Sequence, residues 1–469
     1  MEKISVTKEE LEAYVERVWP EVLADIATLV SIDSVEDLNA AAPGAPWGPG
    51  PKAALDATLN IAERLGMEPH DCDGYIGYAD LPGDSQKQVA VIGHVDIVPV
   101  GVGWDTDPFT MVRKDGYLLG RGTLDDKGPL VLALWAAHFF AERGQKMPYT
   151  IRCIVGANEE TGLGDVDYYN EHFEQPAFLF TPDAEFPVCC GEKGGFSATF
   201  TSEPVAGGTI VELDGGTAGN AIPALATAVI RASVADLPAA DNIDIEDAGD
   251  GLVKLTAHGI GGHASLPEGT RNAIGMLVDY LWDNGLYSPD QAPFMELERL
   301  IMGSTDGSTL DIAATDDVFE PLTCIGGTVR TQDGSFVQTI DSRFPKSITG
   351  EEIEARVRPL GERYGCKLTV DLMLPPFYVD PSSPEIQTLI QTYNDHTGKN
   401  EKPFTIGGGT YAREFKNAAS FGPEERGVPT PDWVGPMHGA NEGVSEQLLR
   451  DSMAIYIDAI ARLMNLDLD

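Results

Sequence analysis

Val89-Ala90-Val91-Ile92-Gly93-His94-Val95-Asp96 is the stretch that decides the architecture. An unbroken run of small and branched apolar residues has no polar alternation, which is the pattern of a strand buried on both faces, as in a parallel sheet covered by helices. The run ends in His-x-Asp. Loops at the carboxyl ends of such strands form the ligand-binding crevice of open α/β sheets. A lone histidine there is ordinarily a hydrogen-bonded polar residue. Asp96 changes that expectation, because a carboxylate near a ligating imidazole fixes its orientation and raises its basicity.

The flanking sequence alternates strand and helix. Upstream, Thr7 and Glu10 form a capping-box pattern, and Leu11, Val15, Val18, Val22 and Ile26 follow at helical spacing. A loop rich in Ala, Pro and Gly over 40–51 precedes a second helix near 54–65. Downstream come a helix over 129–141 and strands over 149–156 and 177–181. After about residue 195 the texture changes to short alternating strands (252–256, 337–342) with helices expected near 221–234 and 271–284. From about 382 a helical pattern resumes and carries through to 466. Chemistry-bearing residues lie on both sides of the insert. The expected fold is therefore an α/β catalytic domain, discontinuous over 1–195 and 378–469, with a mixed, mostly parallel sheet flanked by helices. An α+β lid domain over 196–377 interrupts it.

Composition sets the outer bounds. A chain of 469 residues exceeds one core of ordinary size, and 42% apolar with 23% charged residues is the profile of a soluble globular protein. The first dozen residues are charged rather than apolar, and the longest apolar stretch, 129–141, is too short to cross a bilayer. A cytoplasmic, membrane-free protein is expected. With 74 Asp and Glu against 32 Lys and Arg, the formal charge is −42, which repels polyanions and argues against a nucleic-acid partner. The densest acidic stretch, 236–250, reads as an exposed loop. Six cysteines do not make a disulfide framework, and the adjacent Cys189 and Cys190 lack the spacing of a CxxC pair.

Five segments each place a metal-competent group in a loop. Besides His94-Val95-Asp96, there is Gly120-Arg121-Gly122-Thr123-Leu124-Asp125-Asp126-Lys127-Gly128-Pro129, just before the long helix. Acidic residues before a helix with Pro in its first turn are an ordinary helix start. A glycine-framed Asp pair can also present one carboxylate to two cations roughly 3.5–4 Å apart. Ala157-Asn158-Glu159-Glu160 follows the strand at 149–156 and should share the sheet edge of His94. There, one glutamate can ligate while its neighbour acts as general base. Phe178-Leu179-Phe180-Thr181-Pro182-Asp183 is another strand ending in a carboxylate, and Pro436-Met437-His438-Gly439 is read as a small-residue loop opening a helix. Two imidazoles and at least four carboxylates make a mixed N/O donor set suited to zinc, manganese or cobalt.

In their order along the chain these segments resemble the co-catalytic metallopeptidase family that includes carboxypeptidase G, aminoacylase, succinyl-diaminopimelate desuccinylase and the carnosinases, and within it the PepV-type dipeptidases. The resemblance spans essentially the whole chain. It implies two divalent ions, zinc foremost with manganese or cobalt as alternatives. His94 and Asp183 would hold one ion, Glu160 and His438 the other, and Asp125 would bridge them. It further implies that Asp96 orients His94, that Glu159 is the general base, and that the Asp125–Asp126 peptide is cis. In the insert, Gly261-Gly262-His263-Ala264-Ser265 resembles the lid motif whose histidine steadies the oxyanion. Asn220 resembles a second substrate-contacting residue, and Arg343 one that clamps a substrate carboxylate, a task suited to a bidentate guanidinium. Gly408 and Gly409, in Gly407-Gly408-Gly409-Thr410-Tyr411, resemble a glycine-rich substrate loop.

What the resemblance implies is a monomeric dipeptidase that cuts unblocked dipeptides by attack of a metal-bridging hydroxide. An insert of roughly 180 residues exceeds a short dimerisation domain and supplies within one chain what dimeric relatives take from a partner. An N-acyl-amino-acid deacylase is the alternative within the family. A non-catalytic peptide-binding protein is the alternative outside it, and the presence of Glu159 and every ligand position speaks against that.

Overall fold

A computed structural model describes residues 3–468. The chain divides into two units. One comprises Met1–Gly191, Tyr378–Phe404 and Gly409–Asp469; the other comprises Glu192–Phe377 with Thr405–Gly408.

The first unit is an α/β layer structure. Its sheet runs in the order Glu68–Cys72, Ile76–Leu81, Tyr149–Gly156, Ser85–His94, Phe178–Thr181, Ala418–Ser420, Cys189–Glu192. The four strands from Tyr149–Gly156 to Ala418–Ser420 are mutually parallel, and the flanking pairs are antiparallel. Strand periodicity sends alternate side chains to opposite faces. The Cys153 thiol donates to the Ala133 carbonyl of the helix Lys127–Arg143, while Arg152 turns the other way to Asp80 and the Tyr169 hydroxyl. Helices thus cover both faces, which is why the strands read as unbroken apolar runs.

Local chemistry explains the helix ends. Thr7 and Glu10 form the expected capping box at the start of Lys8–Val30. The second helix begins earlier than expected, at Pro49–Arg64, because proline, which reads as a loop signal, fits the first helical turn where no N–H is needed. Lys127–Arg143 is apolar nearly all round and buried nearly all round, and it stops at the left-handed Gly144.

The second unit has an eight-stranded antiparallel sheet, Ile243–Gly249, Leu252–His258, Leu225–Arg231, Ile210–Gly215, Thr323–Gln332, Ser335–Phe344, Gly194–Ser202, Cys366–Leu374. Helices Ala273–Asp283, Ala292–Ile301 and Gly350–Arg363 pack on its apolar side.

Three expectations need correction. The helix expected over 221–234 is instead the strands Ala221–Ile222 and Leu225–Arg231. Its Ala/Leu content suggested a helix, but Ala226, Ala228 and Ile230 are buried on one face, a period of two that pairing with Leu252–His258 enforces. The acidic stretch at 236–250 is not wholly loop: Ile243–Gly249 is the sheet's edge strand, and its exposed Asp244, Glu246 and Asp247 protect that edge from further pairing. Finally, the helical pattern after 382 is broken. Helices Pro384–Thr397 and Glu446–Leu463 are separated by turns and short strands, and Gly443–Ser445 stands between His438 and the last helix.

All six cysteines are free and buried. Among the described residues no helix is long and apolar enough to cross a membrane. Leu134, fully buried in Lys127–Arg143, offers a test of how far the first unit depends on that helix. Leu134→Ala should cost about 2–5 kcal/mol of unfolding free energy, read as a lowered urea midpoint with an unchanged slope.

Candidate metal centre

Parallel pairing brings the ends of three strands to one edge. His94 lies level with Gly156, so the loop carrying Glu159 and Glu160 starts beside it, and Asp183 follows the third strand two residues after Thr181. Asp125 enters from the loop before Lys127–Arg143, and His438 from a turn far along the chain.

These groups converge on Asp125. Its Oδ1 lies 2.9 Å from His94 Nε2 and its Oδ2 lies 2.8 Å from His438 Nε2. His94 Nε2 is also 3.8 Å from Asp183 Oδ2, and His438 Nε2 is 3.2 Å from Glu160 Oε2. Ligands held about 2.0–2.2 Å from a tetrahedral ion stand about 3.4 Å apart, and these atoms, 2.8–3.8 Å apart, bracket that spacing. Ligand atoms of His94, Glu159 and Asp183 lie within 4.8 Å of one another, as do those of His94, Asp125 and Glu160. The Asp125–Asp126 peptide is cis.

Charge makes the same case. Burial, followed by the Asp125 carboxylate, pushes Asp183 up to about 8, and burial holds Glu159 well above the usual carboxylate range. Burial alone would lower the His94 pKa, but hydrogen bonds to Asp125 and Asp96 outweigh it and raise it; hydrogen bonds to Asp125 and Glu160 push His438 up to about 10. Left to themselves, the carboxylates are offset only by protons taken up on imidazole and carboxyl groups. Divalent cations fit this mixed N/O donor set and would supply the missing positive charge.

Further carboxylates hold the loops. Asp96 Oδ1 accepts from the Glu159 N–H at 3.1 Å and Oδ2 from the Glu160 N–H at 3.0 Å. His94 Nδ1 lies 3.0 Å from the Asp96 main-chain carbonyl and 3.5 Å from its carboxylate. The ring's Nδ1–H therefore donates to that carbonyl, leaving Nε2 to face Asp125 and Asp183. The Asp96 carboxylate serves chiefly the glutamate loop.

Three further residues, Arg121, Glu442 and Asp165, shape the centre. Glu442 Oε1 accepts from the amides of Gly122 (2.9 Å), Leu124 (3.2 Å) and Asp125 (3.3 Å), and its Oε2 lies 2.5 Å from Arg121 Nη1. Arg121 Nη2 donates to the His438 carbonyl at 3.2 Å. This buried pair thus ties the Asp125 loop to the His438 turn. Asp165 accepts from the Ala157 and Asn158 amides at 2.7 and 2.9 Å and from the Tyr411 hydroxyl, fixing the start of the Glu159 loop. Arg121 and Glu442 were legible only as charges inside small-residue loops, and Asp165 carried no signal.

The other predicted residues belong mainly to the second unit. Asn220 and His263 are neighbours there: Ala221 pairs with His263, and the Asn220 carbonyl accepts from the Ala264 amide at 2.9 Å. His263 Nδ1 accepts from the Ser265 amide at 3.2 Å and lies 2.7 Å from its hydroxyl, so in the neutral ring Nε2 carries the proton and can donate. Arg343 is engaged in a bidentate pair with Asp341 at 2.7 and 3.1 Å. That pair uses Nε–H and one Nη2–H, so a substrate carboxylate could still meet the two Nη1–H groups and the second Nη2–H. Gly408 lies in the 405–408 segment of this unit, and Gly409 opens the next segment of the first.

The sequence profile of peptidase family M20/M25/M40 matches residues 90–464. The β-Ala-Xaa dipeptidase of Lactobacillus delbrueckii subsp. lactis is 30% identical over 461 residues, covering 94% of this chain and 96% of that protein. Human carnosine dipeptidase 1 shares the fold, with a TM-score of 0.58 at 14% identity over 98% of this chain and 99% of that one. A dinuclear metal-binding peptidase of Bacillus subtilis does likewise, with a TM-score of 0.52 at 10% identity over 96% and 98%.

The Arg121–Glu442 pair makes a prediction. Glu442→Gln leaves a buried guanidinium without its counter-charge, which should cost about 3–5 kcal/mol of stability in chemical denaturation. Calorimetric titration of metal-free protein should show divalent-ion affinity lowered about 10- to 100-fold.

Proposed function

The chain belongs to peptidase family M20/M25/M40 and is a hydrolase of peptide bonds, and on that footing we propose that it is a two-metal dipeptidase acting on unblocked dipeptides. The observation that carries the proposal is Asp125, whose two carboxylate oxygens each face a different imidazole. The names of the Lactobacillus and human relatives support dipeptides as the substrate class.

In this reading His94, Asp125 and Asp183 hold one divalent ion, and Asp125, Glu160 and His438 hold the other. Zinc is the first choice, with manganese or cobalt fitting the same donors. Bound there, the ions would lower the pKa of a water toward neutrality and polarise the scissile carbonyl. Glu159 is the proton carrier. It takes the proton of the attacking water and returns it to the departing amine, a role suited to a carboxyl group held above its ordinary range by burial. Asp96 keeps Glu159 and Glu160 in place through their amides. Asn220, His263 with its Nε2–H, Arg343, Gly408 and Gly409 are the substrate-side candidates. The long second unit favours a monomer, and six free buried thiols fit a reducing cytoplasm.

The test is hydrolysis of paired free and N-acetylated dipeptides by chelator-treated protein resupplied separately with zinc, manganese or cobalt. Free dipeptides should be cleaved only after metal is restored. Glu159→Ala should lose about 10²- to 10⁴-fold in kcat while still binding two ions per chain by elemental analysis. Cleavage of the blocked substrates alone would make the protein a deacylase, and a fully active Glu159→Ala would remove that residue from the chemistry.

A further inference from the structure

Glu424 lies on Pro423–Glu425, which pairs in parallel with Ala184–Phe186, the strand directly after Asp183. The Phe421 amide donates to the Thr181 carbonyl at 2.8 Å and the Ala184 amide to the Gly422 carbonyl at 3.1 Å. Segment 421–425 therefore runs alongside Asp183, at the rim of the candidate metal centre. In register Glu424 stands opposite Glu185, and cross-strand partners project from the same face. Like charges so placed are unfavourable.

The three glutamates at this rim differ in how their charge is met. Glu185 has Arg426, whose Nε lies 2.9 Å away. Glu425 has Lys399 at 2.5 Å and the Tyr393 hydroxyl at 2.8 Å. The Glu424 carboxylate, half-buried, has no hydrogen bond or ion pair among the described residues. The charges it feels, Glu185, Asp125 and Glu442, are all acidic. A half-buried carboxylate with no protein donor or counter-ion is left to water or a proton, so a cation from outside the protein would be favoured beside it. Glu424 is not one of the residues proposed to hold the metal ions, and neither close group of ligand atoms includes it. In the proposed reaction, the remaining positive charge is the ammonium of a peptide with a free amino end.

We propose that Glu424 is a specificity-determining residue that receives the substrate's α-ammonium group and so selects peptides with an unblocked amino terminus. The proposal rests on the dipeptidase reading. The amine would replace the water that solvates Glu424 and meet the carboxylate in a charge-assisted hydrogen bond. An acyl group offers no such charge and would leave Glu424 desolvated and unpaired.

The experiment compares wild type with Glu424→Gln and Glu424→Asp, all loaded with two metal ions per chain, on alanyl-alanine. Propionyl-alanine, the same molecule without the amine, is measured beside it as substrate or competitive inhibitor. Glu424→Gln should raise KM for alanyl-alanine about 10- to 100-fold with little change in kcat, Glu424→Asp should recover part of the loss, and the affinity for propionyl-alanine should not weaken. An unchanged KM for alanyl-alanine would overturn the proposal while leaving the dipeptidase reading intact. Equal losses on both compounds would reduce Glu424 to a structural role. Failure of the wild type to cleave alanyl-alanine under any metal would remove the dipeptidase reading itself, and this proposal with it.

Discussion

One carboxylate between two imidazoles organises the first unit. Asp125 can meet both His94 and His438 only if a strand end, a loop before a helix and a turn more than three hundred residues further along the chain arrive together. The cost of that meeting is electrostatic. Several acids are drawn into a region where burial and mutual repulsion raise their pKa values, as the carboxyl of Asp183 shows. A fold that pays this has to hold its backbone against the repulsion.

It does so with further acids. Asp96, Asp165 and Glu442 each accept from two or more consecutive or near-consecutive amides of the loops that bear the candidate ligands. Loop amides have no ladder to join, and a buried amide left without an acceptor is expensive. A carboxylate satisfies several at once and makes the stronger, charge-assisted kind of bond. Glu442 also pairs with Arg121, and that guanidinium reaches the His438 carbonyl. The pair carries positional information from one loop to the other.

This division explains what could be read in advance. His94, Asp125, Glu159, Glu160, Asp183 and His438 stand where apolar runs end or small residues cluster, and the contrast between strand and loop makes them visible. The central strands were legible for the same reason: Tyr149–Gly156 matches its expected bounds. Asp165 was not legible, since its partners are main-chain amides that look alike at every position. The segment 221–234 was misread because Ala and Leu favour helices in isolation, whereas its alternating burial arises only when a neighbouring strand pairs with it. Arg343 shows a third kind of limit. Its residue type suits a carboxylate clamp, but only the fold reveals that Asp341 already takes its Nε/Nη2 side and leaves the Nη1/Nη2 end.

The acidic excess bears on the choice between substrate classes. A dipeptide with both ends free carries no net charge at neutral pH, so a chain of formal charge −42 exerts on it little net force, only a torque that turns its ammonium end toward the protein. An N-acyl amino acid is an anion and is repelled. At physiological ionic strength the screening length is about 8 Å, so distant surface acids contribute little to this discrimination. It falls to carboxylates at the rim of the centre, such as Glu424, which are partly buried and screened less. Composition and local geometry therefore act in the same direction, and both favour a substrate that brings its own positive charge.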